Sequence, residues 1–174
     1  MAAPEGFTEF VIARQAALLR TAYLLTGNAQ DAEDLVQTAL IKVVPHWRRI
    51  RDNPEPYVRQ VLVRENVSRW RRRRWREEAS GELPEPMPGR MAGAPDHDEL
   101  LALRAALVLL APRQRAVLVL RYYEGRTERE TAELLGIAPG TVKSHAREAL
   151  TRLRSHLGTE EADRRVEGQL LPRR

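Results

Sequence analysis

A proline- and glycine-rich stretch interrupts this chain from Ser80 to His97. It holds three glycines and four prolines, and its apolar residues follow no periodic pattern. Because such a composition can neither sustain a helix nor bury a core, it predicts a flexible linker. The 174 residues then divide into a first domain at 1–79, a linker at 80–97, a second domain at 98–157 and a polar tail at 158–174.

Helical periodicity marks both predicted domains. In the first, apolar residues recur at helical spacing over Phe7–Leu25, over Ala29–Val43 and from about Glu55 into an arginine-rich stretch. Pro45 is predicted to kink or stop the second of these helices. Helices of the second domain are predicted near Asp98–Leu110, Arg113–Tyr123, Thr127–Leu135 and Pro139–Leu157. Neither domain has a convincing strand pattern, so the predicted fold class is all-α, with two small helical domains.

The charge balance favours a polyanionic partner, because the formal net charge is +5 and the isoelectric point is near 10.2. Cysteine is absent, the four histidines lack metal-ligand spacing, and no glycine-rich phosphate loop is present. We therefore predict no catalytic residue, no metal site and no cofactor.

The first residues do not resemble a signal peptide, and no apolar run is long enough to span a membrane. These features predict a cytoplasmic protein without membrane insertion.

The segment from Thr127 to Leu157 has the pattern of a helix-turn-helix. Thr127 and Glu130 have the spacing of a capping box, Gly136 can end the first helix, and Pro139 suits the first position of the second. The inner face of the second helix is predicted to be Val142, Ala146, Ala149, Leu150 and Leu153. The outer face carries the predicted DNA-binding residues Thr141, Lys143, Ser144, His145 and Arg147. The alternative is an ordinary helical hairpin with a solvated basic face.

A run of arginine and tryptophan from Arg69 to Arg76 is the second nucleic-acid signal. Guanidinium groups neutralise phosphates, and indole rings offer faces on which unpaired bases stack. The predicted DNA-binding residues here are Asn66, Arg69, Trp70, Arg71, Arg72 and Arg73. Core packing of Trp70 and Trp75 is the alternative, and the arginines could form a solvated face or an RNA-binding arm. Trp47 is interpreted as a core or interface residue.

An acidic and apolar segment, Asp31–Thr38, contrasts with the basic remainder of the chain. Such a helix suits a basic protein surface better than DNA. Its predicted protein-binding residues are Asp31, Glu33, Asp34, Leu35 and Gln37. The alternative is a solvated start of an amphipathic helix.

These three segments together resemble the extracytoplasmic-function sigma factors, and among them the actinobacterial SigE-like group. DAEDLVQTAL is similar to the helix with which that family docks on the β′ clamp coiled coil of RNA polymerase. PEPYVRQVLV with the following SRWRRRR resembles the segment that opens and reads the −10 element, and residues 109–154 resemble the domain that reads the −35 element. The resemblance implies a sigma region 2 domain, a sigma region 4 domain, and polymerase core (β′ clamp and β flap) and promoter DNA as partners. It also implies that an anti-sigma factor could hold the protein inactive.

Four positions depart from the family pattern. Ala138 stands where a capping Ser is usual, and Thr131 replaces the usual Ile, which is predicted to put a hydroxyl near the core. Pro45 falls where the core-binding helix normally continues, and Arg64 lies where relatives often carry Asn, which leaves Asn66 as the nearby amide.

Two other functions compete with promoter recognition by a sigma factor. A helix-turn-helix regulator that binds duplex DNA without polymerase explains Thr127–Leu157 but gives no role to the acidic segment or the arginine-tryptophan run. An enzyme is disfavoured because the chain lacks a constellation of acid, base or nucleophile.

Overall fold

The computed structural model describes residues 3–80 and 105–158, with side chains described up to residue 72 in the first of these ranges. The chain separates into two compact units, at residues 1–85 and 86–174. The predicted linker, the start of the helix predicted at Asp98 and nearly all of the polar tail lie outside the described residues.

Helices make up both units. The first contains α1 (Phe7–Thr26), α2 (Ala29–Val43), a 3₁₀ turn (Val44–His46), α3 (Trp47–Ile50) and α4 (Pro54–Ser80). The second contains a helical segment at 105–108, α5 (Pro112–Leu118), a π-helical segment (Val119–Tyr123), α6 (Glu128–Leu135) and α7 (Pro139–Leu157). Within 3–80 and 105–158 there is no strand, and the all-α prediction is confirmed.

Local sequence signals set the boundaries of α1 and α2. Gly27 has a φ of 75° and donates its amide hydrogen bond to the carbonyl of Tyr23 over 2.7 Å, which ends α1. Asn28 then caps α2, its side-chain oxygen accepting from the Asp31 amide over 3.1 Å. The predicted stop at Pro45 is confirmed, because α2 ends at Val43 and the chain tightens into the 3₁₀ turn.

The core of the first unit lies between α1, α2 and α4. Its largest fully buried side chains are Leu18, Leu25, Leu35, Val43, Val58 and Leu62. Trp47 is only 3% exposed and packs edge-on against Phe7, with ring centroids 5.0 Å apart. Its indole donates a 2.8 Å hydrogen bond to the carbonyl of Glu5. This hydrogen bond satisfies the buried indole N–H. Because its side chain is buried, Trp47 is a core residue, one of the two roles interpreted from the sequence.

The core of the second unit contains seven consecutive buried residues, Gln114 to Leu120, of which the last five are apolar. The sequence predicted one continuous helix over Arg113–Tyr123, but the α-helical part ends at Leu118 and a π-helical segment follows. In that segment the amide of Glu124 donates to the carbonyl of Val119 over 2.9 Å.

Candidate nucleic-acid interface

The first helix of the predicted helix-turn-helix, α6, begins at a complete capping box. The backbone amide of Thr127 donates to the Glu130 carboxylate over 2.8 Å, and the Glu130 amide donates to the Thr127 hydroxyl oxygen over 3.2 Å. The hydrogen bond from the Thr127 amide, followed by that from its hydroxyl, holds the pKa of Glu130 below its ordinary value of 4.5. The predicted start of this helix is therefore confirmed.

The turn between α6 and α7 is short and tightly bonded. Gly136 adopts a φ of 64°, a left-handed conformation that residues with a Cβ rarely tolerate. The next amide, of Ile137, donates to the carbonyl of Ala132 over 3.1 Å. Ala138 then occupies the N-cap of α7 without a side-chain hydrogen bond, and Pro139 opens the helix. The turn thus fixes the direction in which α7 leaves α6.

The outer face of α7 presents two long basic side chains. Lys143 and Arg147 are exposed, one helical turn apart, and no ion pair or hydrogen bond from their side chains is found within 3–72 and 105–158. Thr141 and Ser144 are half-buried, and the Ser144 hydroxyl donates to the carbonyl of Thr141 over 3.0 Å. Lys143 and Arg147 are therefore the members of the predicted set with the longest reach.

His145 differs from the other predicted DNA-binding residues of α7. Its side chain is 24% exposed, and Nδ1 is buried, 3.9 Å from the carboxylate of Glu148 and without a hydrogen bond to the described residues. That carboxylate accepts a 2.9 Å hydrogen bond from the side chain of Gln114 on α5. One edge of His145 thus faces the packed side of the helix, which leaves it less available to a ligand than Lys143.

The inner face of α7 agrees largely with the predicted stripe. Val142, Ala149 and Leu153 are buried, whereas Ala146 and Leu150 are half-buried. On α6, Thr131 is completely buried, and its hydroxyl finds no partner within the described residues. The sequence predicted a hydroxyl near the core at this position, and the structure confirms it.

The arginine-tryptophan run continues α4 without interruption to Ser80. Arg71 and Arg72 are exposed, while Asn66 and Trp70 are half-buried. The side chains of Arg73 and Trp75 lie outside the described residues. The helix therefore places two exposed guanidinium groups immediately after a partly covered indole.

Arg69 contacts the acidic helix α2. Its guanidinium donates to the Asp31 carboxylate over 3.0 Å and to the Asp31 carbonyl over 3.0 Å, and it lies 3.9 Å from the carboxylate of Asp34. A second link joins the same helices, since Lys42 and the largely buried Glu65 form an ion pair of 2.5 Å. The sequence did not predict either contact, because periodicity reveals no pairing between residues 38 or 23 positions apart.

The predicted protein-binding residues of α2 separate by exposure. Glu33, Asp34 and Gln37 are exposed, and Asp31 is half-buried beside Arg69. Leu35 is 0% exposed and belongs to the core, so its prediction as a contact residue is corrected: the apolar periodicity that suggested it marks the inward face.

Exposed residues beside the predicted sets were missed by the sequence reasoning. Ile41, one turn after Gln37, is 71% exposed and extends the outer face of α2 with an apolar side chain. It was missed because it reads as one more apolar residue of an amphipathic helix. Around α3, Arg48, Arg49 and Arg51 are exposed and add positive charge to the first unit.

Comparison with known sequences matches each unit to a protein family model. The profile of sigma-70 region 2 matches residues 10–76, and that of sigma-70 region 4 matches residues 100–153. RNA polymerase sigma-E factor of Streptomyces coelicolor is 40% identical over 163 residues, which cover 92% of this chain and 90% of that protein. The chain belongs to the sigma-70 family. Within this family it falls in the extracytoplasmic-function group, as the resemblance implied.

Two further relatives support the same family. The extracytoplasmic-function sigma factor SigL of Mycobacterium tuberculosis is 35% identical to this chain over 147 residues. The match covers 80% of this chain and 81% of SigL. A solved structure of the sigma factor RpoE of Bartonella quintana, in complex with the anti-sigma factor NepR, superposes with a TM-score of 0.66 at 27% identity. It covers 88% of this chain and 98% of RpoE.

Among residues 3–80 and 105–158, no helix is long and apolar enough to cross a membrane. In the same residues, no group of three or more His, Cys, Asp or Glu side chains could hold a metal ion.

Proposed function

We propose that this chain is an RNA polymerase sigma factor that directs promoter-specific initiation. The observation that carries the proposal is the presence of both sigma-70 regions, in order, in a chain that covers 90% of a sigma-E factor. A helix-turn-helix regulator would account for region 4 alone. No catalytic function is part of the proposal.

The proposed division of labour follows the two units. Residues 1–79 bind polymerase core and capture the melted −10 element, residues 80–97 connect the units, and residues 98–157 read the −35 duplex. On α2, the exposed carboxylates Glu33 and Asp34, with Asp31, Gln37 and Ile41, face the β′ clamp coiled coil. A mixed acidic and apolar face supports binding to a basic protein surface. Region 4 is further proposed to contact the β flap.

The proposed DNA contacts combine two kinds of surface. Lys143 and Arg147, with Thr141 and Ser144 beside them, enter the major groove at the −35 element, because an exposed helix face of long basic side chains fits that groove. Asn66, Trp70 and the arginines that follow receive unpaired bases and phosphates of the −10 element. An anti-sigma factor is a further proposed partner, supported by the RpoE–NepR complex.

Transcription in vitro tests the function directly. Purified protein and sigma-free core polymerase from Streptomyces coelicolor are incubated with fragmented actinobacterial DNA, and transcript starts are mapped. We expect a restricted set of starts that share two upstream elements, whereas core alone or the protein alone gives none. Binding to duplex DNA without any polymerase-dependent start would instead favour the regulator.

A further inference from the structure

The side chain of Arg69 stands between the two surfaces assigned above. It belongs to the arginine-tryptophan run of α4, yet its guanidinium is directed at the first turn of α2. One nitrogen lies 3.0 Å from the Asp31 carboxylate and a second lies 3.0 Å from the Asp31 carbonyl. With the Asp34 carboxylate at 3.9 Å, three oxygens of the acidic helix surround this group.

The neighbouring arginines are differently placed. Arg71 and Arg72 are exposed, whereas the Arg69 side chain is 26% exposed and the Asp31 side chain 27%. Phosphates reaching Arg71 or Arg72 meet open guanidinium groups. A phosphate reaching Arg69 must displace a carboxylate that already accepts its hydrogen bond.

We propose that Arg69 is a positioning residue that couples polymerase binding to capture of single-stranded DNA. In the free protein, Asp31 and Asp34 hold Arg69 and reduce its contribution to DNA binding. A basic polymerase surface that binds these carboxylates weakens their hold, and Arg69 turns to the DNA phosphates beside Arg71. This coupling rests on the proposed function, since it requires α2 to face polymerase and α4 to face DNA.

The chemistry requires only exchange of ion-pair partners. The Asp31 carboxylate moves from an intramolecular to an intermolecular cation, and the Arg69 guanidinium moves from a carboxylate to a phosphate. Both groups are partly exposed, so neither is left buried and uncompensated during the exchange. Linkage makes the effect reciprocal: DNA that binds Arg69 also frees Asp31 for polymerase.

A double-mutant cycle on the full chain, without polymerase, tests the proposal. Binding of a labelled single-stranded oligonucleotide of mixed sequence is measured at several salt concentrations. Asp31→Asn keeps the size of the side chain and the carbonyl contact but removes the charge. We expect it to bind about two- to fivefold more tightly than the parent, the range for a partly exposed ion pair. The dependence of log K on log salt steepens by about 0.7, as for one further phosphate on a single strand.

Two controls separate the ion pair from the general loss of a negative charge. Glu9→Gln removes an exposed carboxylate of α1 and is expected to change affinity far less than Asp31→Asn. In the Arg69→Gln background, Asp31→Asn is expected to give no more gain than Glu9→Gln does. Circular dichroism melting of each variant confirms that the helices remain folded.

The possible outcomes distinguish failure of the Asp31–Arg69 coupling from failure of the proposed −10 contact. A gain from Asp31→Asn that persists in the Arg69→Gln background, or no gain in a protein that binds the oligonucleotide, overturns the coupling alone. If neither the parent nor the variant binds single-stranded DNA, the proposed −10 contact fails and the coupling with it. If Arg69→Gln does not fold, Arg69→Met replaces it, and the same loss of the Asp31→Asn gain in affinity is required, because methionine keeps an apolar stem but carries no charge for Asp31 or for a phosphate.

Discussion

At the scale of single residues, exposure decides which members of a predicted set can bind a partner. Lys143 and Arg147 project from α7, while His145 turns one edge toward the packed side and Leu35 of α2 is fully buried. A residue type and a helical register place a side chain to within about a third of the helix circumference. Where a side chain points within that third depends on which other helices pack against it, and the sequence does not show this packing. The sequence therefore predicted the exposure of Lys143 and Arg147 but not the burial of Leu35 or of one edge of His145.

Arg147 provides a test of base recognition. Arg147→Ala is expected to weaken binding to a promoter fragment by ~1–3 kcal/mol while changing binding to a scrambled fragment less, because a base contact is sequence-specific. Affinities for both duplexes are measured at two salt concentrations. Arg152→Ala, an exposed arginine further along α7, is the matched control. Equal loss on both sequences, with the salt slope reduced by about one, would assign Arg147 to a phosphate instead.

Thr131 provides a test of polar burial. Its hydroxyl is buried without a partner in the described part of the chain, so Thr131→Val is expected to raise the free energy of unfolding of the second unit by about 1 kcal/mol. Chemical denaturation followed by circular dichroism measures the change. Thr151→Val is the control, because the Thr151 hydroxyl is exposed and already donates to the carbonyl of Arg147 over 2.9 Å. A destabilised Thr131→Val protein would show that the hydroxyl has a partner in solution.

At the scale of elements, the sequence predicted boundaries well where a local signal exists. Pro45 and Gly136 end or interrupt helices where expected, and the Thr127 capping box starts α6. The π-helical segment at Val119–Tyr123 was not predicted, because no breaker residue marks the point at which the α-helical part ends. The contacts between α2 and α4 could not be predicted either, because they join residues that are far apart in the sequence.

The capping box of α6 gives this element a pH dependence. The folded state lowers the pKa of Glu130 below 4.5, so its carboxylate stabilises the folded state fully above that value. This contribution is lost as the pH falls through the lowered pKa. We expect Glu130→Gln to be less stable than the parent at neutral pH, with the difference shrinking in acid. Denaturation at a series of pH values checks it, and Glu128→Gln, an exposed neighbour in the same turn, is the control. A difference that is independent of pH would refute the role of the charge.

Helix α2 is tested by charge reversal. Asp34→Lys is expected to weaken assembly with polymerase core at least about tenfold, because it places like charges across the proposed interface. Duplex binding by region 4 is expected to stay unchanged. Glu9→Lys makes the same charge change on α1 and serves as the control. Parental affinity for core in a folded Asp34→Lys protein would refute the proposed docking face.

At the scale of the whole molecule, the proposed function assigns duplex binding at the −35 element to the second unit and capture of the melted −10 element to the first. In this proposal, a receiving surface on α4 offsets the cost of unstacking a base. The proline- and glycine-rich stretch, with helical periodicity on both sides of it, predicted two helical units joined by a linker. How the units act together does not follow from either fold.

Opening is tested at the two tryptophans of the arginine-tryptophan run. Replacing Trp70 and Trp75 together by Ala is expected to slow open-complex formation, since each stacked base contributes ~1–3 kcal/mol. Binding to the −35 duplex is expected to remain unchanged. The matched control replaces both by Phe, which keeps an aromatic face. Fluorescence of a base analogue at the −10 element measures opening, and circular dichroism shows whether the Ala variant is folded. A folded Ala variant that opens promoters at the parental rate would leave this task to the arginines.

The construction of α7 has a consequence for how such proteins diversify. Its anchoring residues Val142, Ala149 and Leu153 are inward, its entry is fixed by Gly136, and its long basic side chains lie wholly on the other face. Substitutions at Lys143 or Arg147 therefore leave the packing untouched. With these two residues as the proposed base readers, a lineage can change its target sequence at these positions after gene duplication while each variant still folds. Paralogous copies in one genome can thus acquire separate regulons without rebuilding the domain.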